Sequence, residues 1–235
     1  DRVVRGRVTG VDGNALEFDG VTEYAQVPWS AELNPPSFSL QAWVRPSGGS
    51  GTFRAILNSR YTQGAANRGY ILYIASNNAW QFWVGNGTSW AIVAGPTATL
   101  NVWTHVVATY KASTNTASLY INGALAGTFS TTHATNDAYP LRIGAGGLPA
   151  SATFRFTGRI DDIQIHKTAL PASEVAALFN NPGRSADGDC NNNGVADDCD
   201  VTGATSQDCD SNLIPDECEP DCNNNGTADI CDVLD

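Results

Sequence analysis

The sequence predicts an all-β chain, a sandwich or barrel with one short helix near its end, followed by a small irregular tail of a different kind. Three observations carry this. Apolar and polar residues alternate with a period of two in run after run between residues 16 and 166, which is the spacing of half-buried strands. Gly, Asn and Pro interrupt those runs at short intervals, leaving room for many short strands and almost no helix. Beyond residue 188 the alternation stops, and one short acidic, cysteine-bearing unit is written three times.

At 235 residues the chain has material for one large domain and one small one. The formal charge of −11 is uneven: residues 1–186 hold 13 Lys and Arg against 10 Asp and Glu, whereas 187–235 hold 14 acids and no Lys or Arg. Such a block is ordinarily a disordered tail, but its regular spacing points to divalent cations that neutralise it. All six cysteines lie there, two per repeat, which suggests disulfides and an oxidising setting, secreted or at the cell surface. Zinc competes for any cysteine cluster, yet hard oxygen donors flank each Cys and the block has no histidine, so disulfides plus calcium fit better. No apolar run is long enough to span a membrane, and no membrane insertion is expected. With no methionine even at position 1, the chain reads as an exported product whose signal peptide is gone. A pI near 4.5 without a basic cluster argues against nucleic acid as a partner.

In chain order, residues 1–11 form an N-terminal strand or linker. They hold three arginines, Arg2, Arg5 and Arg7, and read as an edge strand, a linker remnant or a strand offered to another molecule. The main domain spans 12–181. Within it Phe38, Leu40, Ala42 and Val44 alternate with Ser39, Gln41, Trp43 and Arg45, and further strand-like runs fall at 70–75, 79–84, 90–94, 102–110, 117–121, 141–144 and 156–166. Asn122-Gly123 between two such runs favours the type I′ turn of a tight hairpin. Residues 171–179 read as the helix, opened by Pro171. A linker at 182–188 leads to three repeats in 189–235.

The repeats begin at Asp189, Asp208 and Asp221. In each, oxygen-bearing side chains fall at positions 1, 3, 5, 9 and 12, and cysteine falls at 2 and 11. Calcium loops use that spacing because alternate oxygens turn toward one point when the chain curls, with a backbone carbonyl from position 7. The first loop offers Asp189, Asn191, Asn193, Val195 (carbonyl), Asp197 and Asp200; the second Asp208, Asp210, Asn212, Ile214 (carbonyl), Asp216 and Glu219; the third Asp221, Asn223, Asn225, Thr227 (carbonyl), Asp229 and Asp232. Leu213 replaces the turn glycine of the second loop. Pairing within each repeat would join Cys190 to Cys199, Cys209 to Cys218 and Cys222 to Cys231, and is favoured because each unit carries its own pair.

Five stretches resemble the signature of laminin-G-like, concanavalin-type jelly rolls, in that family's order. They are Leu16-Glu17-Phe18-Asp19-Gly20, Phe38-Ser39-Leu40-Gln41-Ala42-Trp43-Val44, residues 103–110, Tyr120-Ile121-Asn122-Gly123 and Gly158-Arg159-Ile160-Asp161-Asp162-Ile163. The resemblance covers about residues 12–181 and implies a two-sheet antiparallel jelly roll with a concave face, in a superfamily whose members bind glycans or proteins and are sometimes catalytic. It also implies a calcium tying the first strand to the last, with Asp19 and the Gly20 carbonyl opposite Asp161. Asp161 shares the phase of Ile163 and Ile165 and is expected to point inward, where an uncompensated carboxylate is costly. The tail is similar to thrombospondin type 3 repeats, which tend to join neighbouring units and would pair Cys199 with Cys209 and Cys218 with Cys222. It departs from EF-hands and dockerins, because no helix fits between the repeats.

Catalysis has little support. Glycosidases of this superfamily set two carboxylates a few residues apart on a central strand, and between Glu32 and Asp137 there is no acid at all. Binding is the better reading, and sugar recognition combines aromatic faces with amide hydrogen-bonders. Trp80, Trp83 and Trp90 cluster with interleaved Asn and Gln; Trp80 and Trp83 have opposite strand phase, so one faces the core and one the outside. Trp83, Trp90 and Asn86 are the candidate ligand groups. The expected function is calcium-dependent, non-catalytic adhesion to a glycan or an extracellular matrix or surface protein, with the repeats as a stapled stalk. The alternative is self-association as a fibre or surface-layer subunit through the N-terminal strand and the tail.

Overall fold

A computed structural model describes residues 7–63, 66–147, 153–183, 200–201, 203–211, 215–219, 221–223, 225 and 227–234. The chain divides into two compact units, residues 1–184 and 185–235.

The first unit is a two-sheet antiparallel sandwich. Its strands are β1 (Arg7–Thr9), β2 (Asn14–Asp19), β3 (Ala25–Val27), β4 (Phe38–Pro46), β5 (Arg54–Gln63), β6 (Ala66–Ile74), β7 (Ala79–Gly85), β8 (Trp90–Thr97), β9 (Thr104–Lys111), β10 (Thr116–Ile121), β11 (Ala124–Ser130), β12 (Leu141–Ile143) and β13 (Thr157–His166). A seven-stranded sheet runs β1-β2-β13-β4-β9-β10-β11, and a six-stranded sheet runs β3-β12-β5-β6-β7-β8. Helix α1 (Ala172–Asn180) follows the last strand, with Pro171 as its N-cap residue. The edge of the larger sheet is filled by this chain's own β1, paired through Val8 with Ala15.

Alternation produces the core. Phe38, Leu40, Ala42 and Val44 of β4 face Leu72, Ile74, Trp80, Phe82 and Val84 of the opposite sheet, all of them almost fully buried. Removing this apolar area from water is the main source of the unit's stability. Trp80 is inward at 1% exposure, and Trp83 points to the other side, as the opposed phases require. The Asn122-Gly123 turn joins β10 to β11 with both φ angles positive, 50° and 77°, the geometry of a type I′ hairpin. Gly123 is needed twice over, because a Cβ there would also press on the Phe179 ring at 3.2 Å.

The phase expected for Asp161 is corrected by a β-bulge. Between Asp161 and Gln164 strand β13 carries one residue more than β4, and Asp162 adopts φ 44°. The extra residue reverses the alternation. Ile160 therefore points into the core before the bulge, Ile163 and Ile165 do so after it, and Asp161 lies on the outer face opposite Trp43.

Candidate functional site: the open face of the six-stranded sheet

The two sheets treat their outer faces differently. On the seven-stranded sheet, α1 folds back and sets Phe179 parallel to Trp43 at 5.7 Å and against His105 at 5.9 Å. His105 is fully buried and neither ring nitrogen finds a partner among the described residues; burial holds its pKa down to about 4. Asp161 is covered as well, and its Oδ2 accepts the backbone N–H groups of Val11 and Asp12 at 2.7 and 3.1 Å. Asp162 accepts from Gln41, Gln164 and the Gly183 backbone, so both carboxylates act as clamps for the chain that wraps this face.

On the six-stranded sheet no helix lies over the outer face among the described residues; Phe53 and Phe154 pack over Tyr73, Ile71 is fully buried, and Trp83 and Trp90 stay half-buried. One cross-strand row on its outer face reads Gln26, Arg142, Asn58, Ile71, Trp83, Ile92. The row beside it starts at Arg60 opposite Gly69 and ends at Gly85 opposite Trp90. The two glycines leave no side chain between them, and the Arg60 guanidinium reaches the Trp90 indole, 5.5 Å from its centre. Trp83 lies 6.2 Å from Trp90 and edges onto Phe53 and Tyr73 at 5.9 and 5.6 Å, with Phe154 closing the group. The Trp83 indole N–H donates to Gln81 Oε1 at 2.8 Å, so its ring orientation is fixed. Burial raises the Tyr73 phenol to about 12, against the pull of the nearby Arg60 charge.

Polar groups converge beside these rings. Asn58, Arg60, Tyr139, Pro140, Arg142 and Gly147 line a small recess of about 10 Å³, room for about one water molecule. Asn58 is 3% exposed, and its Oδ1 accepts no hydrogen bond among the described residues. The loop carrying Tyr139 is pinned from below: Asn136 Nδ2 donates to Ser59 Oγ and to the Tyr139 carbonyl, and Ser59 donates to Asn34. Asn58 and Arg60 were not foreseen. They sit on β5, and the signal that could have found them is the alternation of Asn58, Arg60 and Thr62 with Leu57, Ser59 and Tyr61. Asn86, a candidate from sequence, turns away: its Oδ1 accepts the backbone N–H groups of Thr88 and Ser89 and closes the β7–β8 loop.

A model of the Concanavalin A-like lectin/glucanases superfamily, laminin G type, matches residues 19–176. The chain belongs to that superfamily. No curated protein matches the chain. Among solved structures, the binding domain of Paraclostridial Mosquitocidal Protein 1 is similar at 18% identity and TM-score 0.59, over 74% of this chain and 45% of that one. The chain thus spans less than half of that structure. The CBM40 domain of Ruminococcus gnavus IT-sialidase, bound to α2,3-sialyllactose, is similar at 16% identity and TM-score 0.56, over 70% of this chain and 96% of that one. Domain 4 of the Geobacillus stearothermophilus extracellular arabinanase AbnA, in complex with arabinotriose, aligns at 20% identity and TM-score 0.54, over 74% and 80%. At these identities the likeness is one of fold.

Within the lectin-like sandwich, the expected calcium pair is not brought together. Thr157 faces Asp19 and Ile160 faces Leu16, so Asp161 lies level with Ala15, roughly 13 Å along the ladder from Asp19. Asp19 is also occupied: the backbone N–H groups of Val21, Thr22 and Glu23 donate to its Oδ1 and the Thr22 hydroxyl to its Oδ2. Those bonds, Val21's first, hold its pKa well below the usual carboxylate range. Gly20 sits at φ 74° in the turn that follows Asp19.

The match to the superfamily ends before the repeats, which form the second unit. Asp189, Cys190, Asn191, Asn193, Val195, Asp197, Cys199, Asn212 and Ile214 lie outside the described residues. In the third repeat the position-12 carboxylate of Asp232 accepts from Asn223 Nδ2 at 3.0 Å and from Asn225 Nδ2, and the Asn225 N–H points to Asp221 Oδ1 at 3.3 Å. The side chains at positions 1, 3, 5 and 12 are therefore gathered. Position 9 does the same task twice, as Asp216 accepts the Cys209 N–H and Asp229 the Cys222 N–H, at 2.9 and 3.0 Å. A helical turn starts at position 9 in both, a 3₁₀ turn over Asp216–Cys218 and α2 (Asp229–Leu234). The expectation that nothing helical fits is corrected, because the turn grows out of the loop's own last four positions.

The cysteine pairing differs from both schemes. Cys209 is bonded to Cys231, and Cys222 keeps a free, exposed thiol. Repeats two and three curl so that position 2 of one meets position 11 of the next, which neither reading of sequence spacing anticipates. Asp216 lies within 4.8 Å of both sulfurs, but these are spent in the disulfide. Hydrogen bonding to Asp229 raises the Cys222 thiol and so keeps it protonated and a poor nucleophile.

Proposed function

We propose that this chain is a non-catalytic glycan-binding protein that works outside the cell. The observation that carries the reading is the outer face of the six-stranded sheet, where the half-buried Trp83 and Trp90, 6.2 Å apart, lie beside Asn58, Arg60 and Gln81. An aromatic face accepts the C–H side of a sugar ring, and amide and guanidinium groups take its hydroxyls. Two structures of similar fold carry saccharides, sialyllactose and arabinotriose, which supports the same ligand class here. No acid occurs between Glu32 and Asp137, so β5 to β8 lack the paired carboxylates of a glycosidase. The test is a glycan array probed with the native chain and with Trp90→Ala. Binding to a defined set of glycans, lowered at least tenfold by the substitution, is expected; no binding to any glycan would overturn the reading.

The repeats fit calcium. The side chains of Asp221, Asn223, Asn225 and Asp232 lie close together, the two amides donating through Nδ2 to Asp232; with those amides turned, they, Asp229 and the Thr227 carbonyl would hold the ion. Asp208, Asp210, Asp216 and Glu219 would serve the second site. Calcium would supply the charge that lets so acidic a segment stay folded. Chelation is expected to make residues 185–235 protease-sensitive while 7–183 stay resistant, with reduction deepening the effect. Equal cleavage with and without chelator, under both oxidising and reducing conditions, would contradict it.

A further inference from the structure

On the outer side of the seven-stranded sheet, buried polar atoms lie without a hydrogen-bond partner among the described residues: Gln41 Oε1, Trp43 Nε1 and both ring nitrogens of His105. Trp43 and His105 are paired across β4 and β9 with ring centres 5.1 Å apart, and Phe179 of α1 packs against both rings. The rest of the helix docks through the buried side chains of Glu174, Val175 and Leu178. The chain before it is tied at Ser39, whose Oγ accepts the Leu170 N–H at 2.9 Å, and the chain after it at Asp162, which accepts the Gly183 N–H at 3.1 Å.

This cover is built to lift before the sandwich unfolds. A helix of nine residues does not hold its shape without the sheet beneath it. Lifting it gives water to the unpaired indole N–H and imidazole nitrogens, which removes the penalty of burying them. Short segments of this kind open at lower free energy than the core to which they are attached. His105 makes the opening sensitive to acid, because a proton added to its ring in the closed layer creates a buried cation with no acceptor. Other charged and titratable groups come from each neighbouring element: Arg45 on β4, with its Nε on the Asn101 carbonyl; Asp161, Asp162 and His166 on β13; Tyr120 on β10; and Glu174 on α1, five positions before Phe179. None of them bonds to the imidazole.

We propose that α1 is an acid-released lid: protonation of His105 lifts the helix from the sheet, exposes Trp43 and frees the segment that leads toward the repeats. Burial holds the closed-state pKa at about 4 against an ordinary 6.5, so the closed form is favoured in full above pH 6.5 and loses that advantage as pH falls toward 4. The open-to-closed ratio should rise by up to about 300-fold across that range. The experiment is fluorine NMR of the full chain labelled with fluorotryptophan, its signals assigned by single Trp→Phe substitutions, through an acid titration. A solvent-exposed Trp43 signal is expected to grow between pH 6.5 and 4 while Trp80, in the core, keeps its native signal. His105→Phe is expected to hold Trp43 in its closed position throughout. Phe179→Ala removes the covering ring and is expected to open at higher pH than the native chain, which keeps the test valid should His105→Phe fold poorly. A closed Trp43 signal down to pH 4 would overturn the proposal, as would Trp80 changing together with Trp43, which is unfolding of the whole sandwich. So would opening retained in His105→Phe, which would assign the response to Glu174 or His166, or opening of Phe179→Ala at the pH of the native chain.

Discussion

Two tryptophans stand on the outer faces of the same sandwich and do opposite work. Trp43 is 7% exposed beneath α1, packed against Phe179 and His105, whereas Trp90 is half-buried on the other sheet, with Arg60 over its ring. Their residue type and strand setting are alike; the difference is the lid. Where the chain returns over a sheet, aromatic, histidine and carboxylate side chains become packing and clamps. Where no helix lies over it, Trp83 and Trp90 stay half-buried.

The comparison can be broken most forcefully at Trp43. Trp43→Ala is expected to destabilise the sandwich by about 3–5 kcal/mol in urea unfolding, since it leaves a cavity under α1, while Trp90→Ala costs under about 1 kcal/mol. Equal losses would mean that the two faces are not differently covered.

A pH titration probes the same lid with a smaller effect. His105 has a folded pKa of about 4 against an ordinary 6.5, so its neutral form is favoured by folding. The stability it contributes is complete above pH 6.5 and is lost as pH falls from 6.5 toward 4, by about 3 kcal/mol at most. His133, packed on Phe38 and Tyr110 with its pKa also near 4, adds a loss of the same sign. His105→Phe should flatten part of the decline; an unchanged slope would show that His105 is not buried in neutral form.

Smallest is the release of the N-terminal clamp. Asp161→Ala removes the acceptor for the Val11 and Asp12 amides and is expected to cost about 1–3 kcal/mol. Hydrogen exchange at those two amides should quicken, with the Trp83 region unaffected; unchanged exchange would remove the clamp from the account.

Much of the fold was legible in sequence because alternation reports burial directly. The inward rows of β4, β7 and β9, the Asn122-Gly123 turn and the helix opened by Pro171 follow from period, turn chemistry and capping. Strand β5 was missed because polar residues in a strand look like loop: Asn58 is buried and Arg60 half-buried on the outer side of the sheet. The opposed phases of Trp80 and Trp83 were legible, while Asn86 was chosen for proximity in sequence although an Asn before Gly-Thr-Ser is suited to closing a turn. Asp161 was assigned to the wrong face because a one-residue bulge leaves no mark on local periodicity. The Cys209–Cys231 bond escaped because spacing within a repeat says nothing about how one repeat curls onto the next.

The central claim, that ligands meet the outer face of the six-stranded sheet at Trp83 and Trp90, is tested most directly by the indole N–H signals of the tryptophans in a heteronuclear NMR titration with the tightest-binding saccharide. Saturable shifts at Trp83 and Trp90, with Trp43 and Trp80 unmoved, are the expected result. Shifts at Trp43 with Trp83 and Trp90 silent would contradict it.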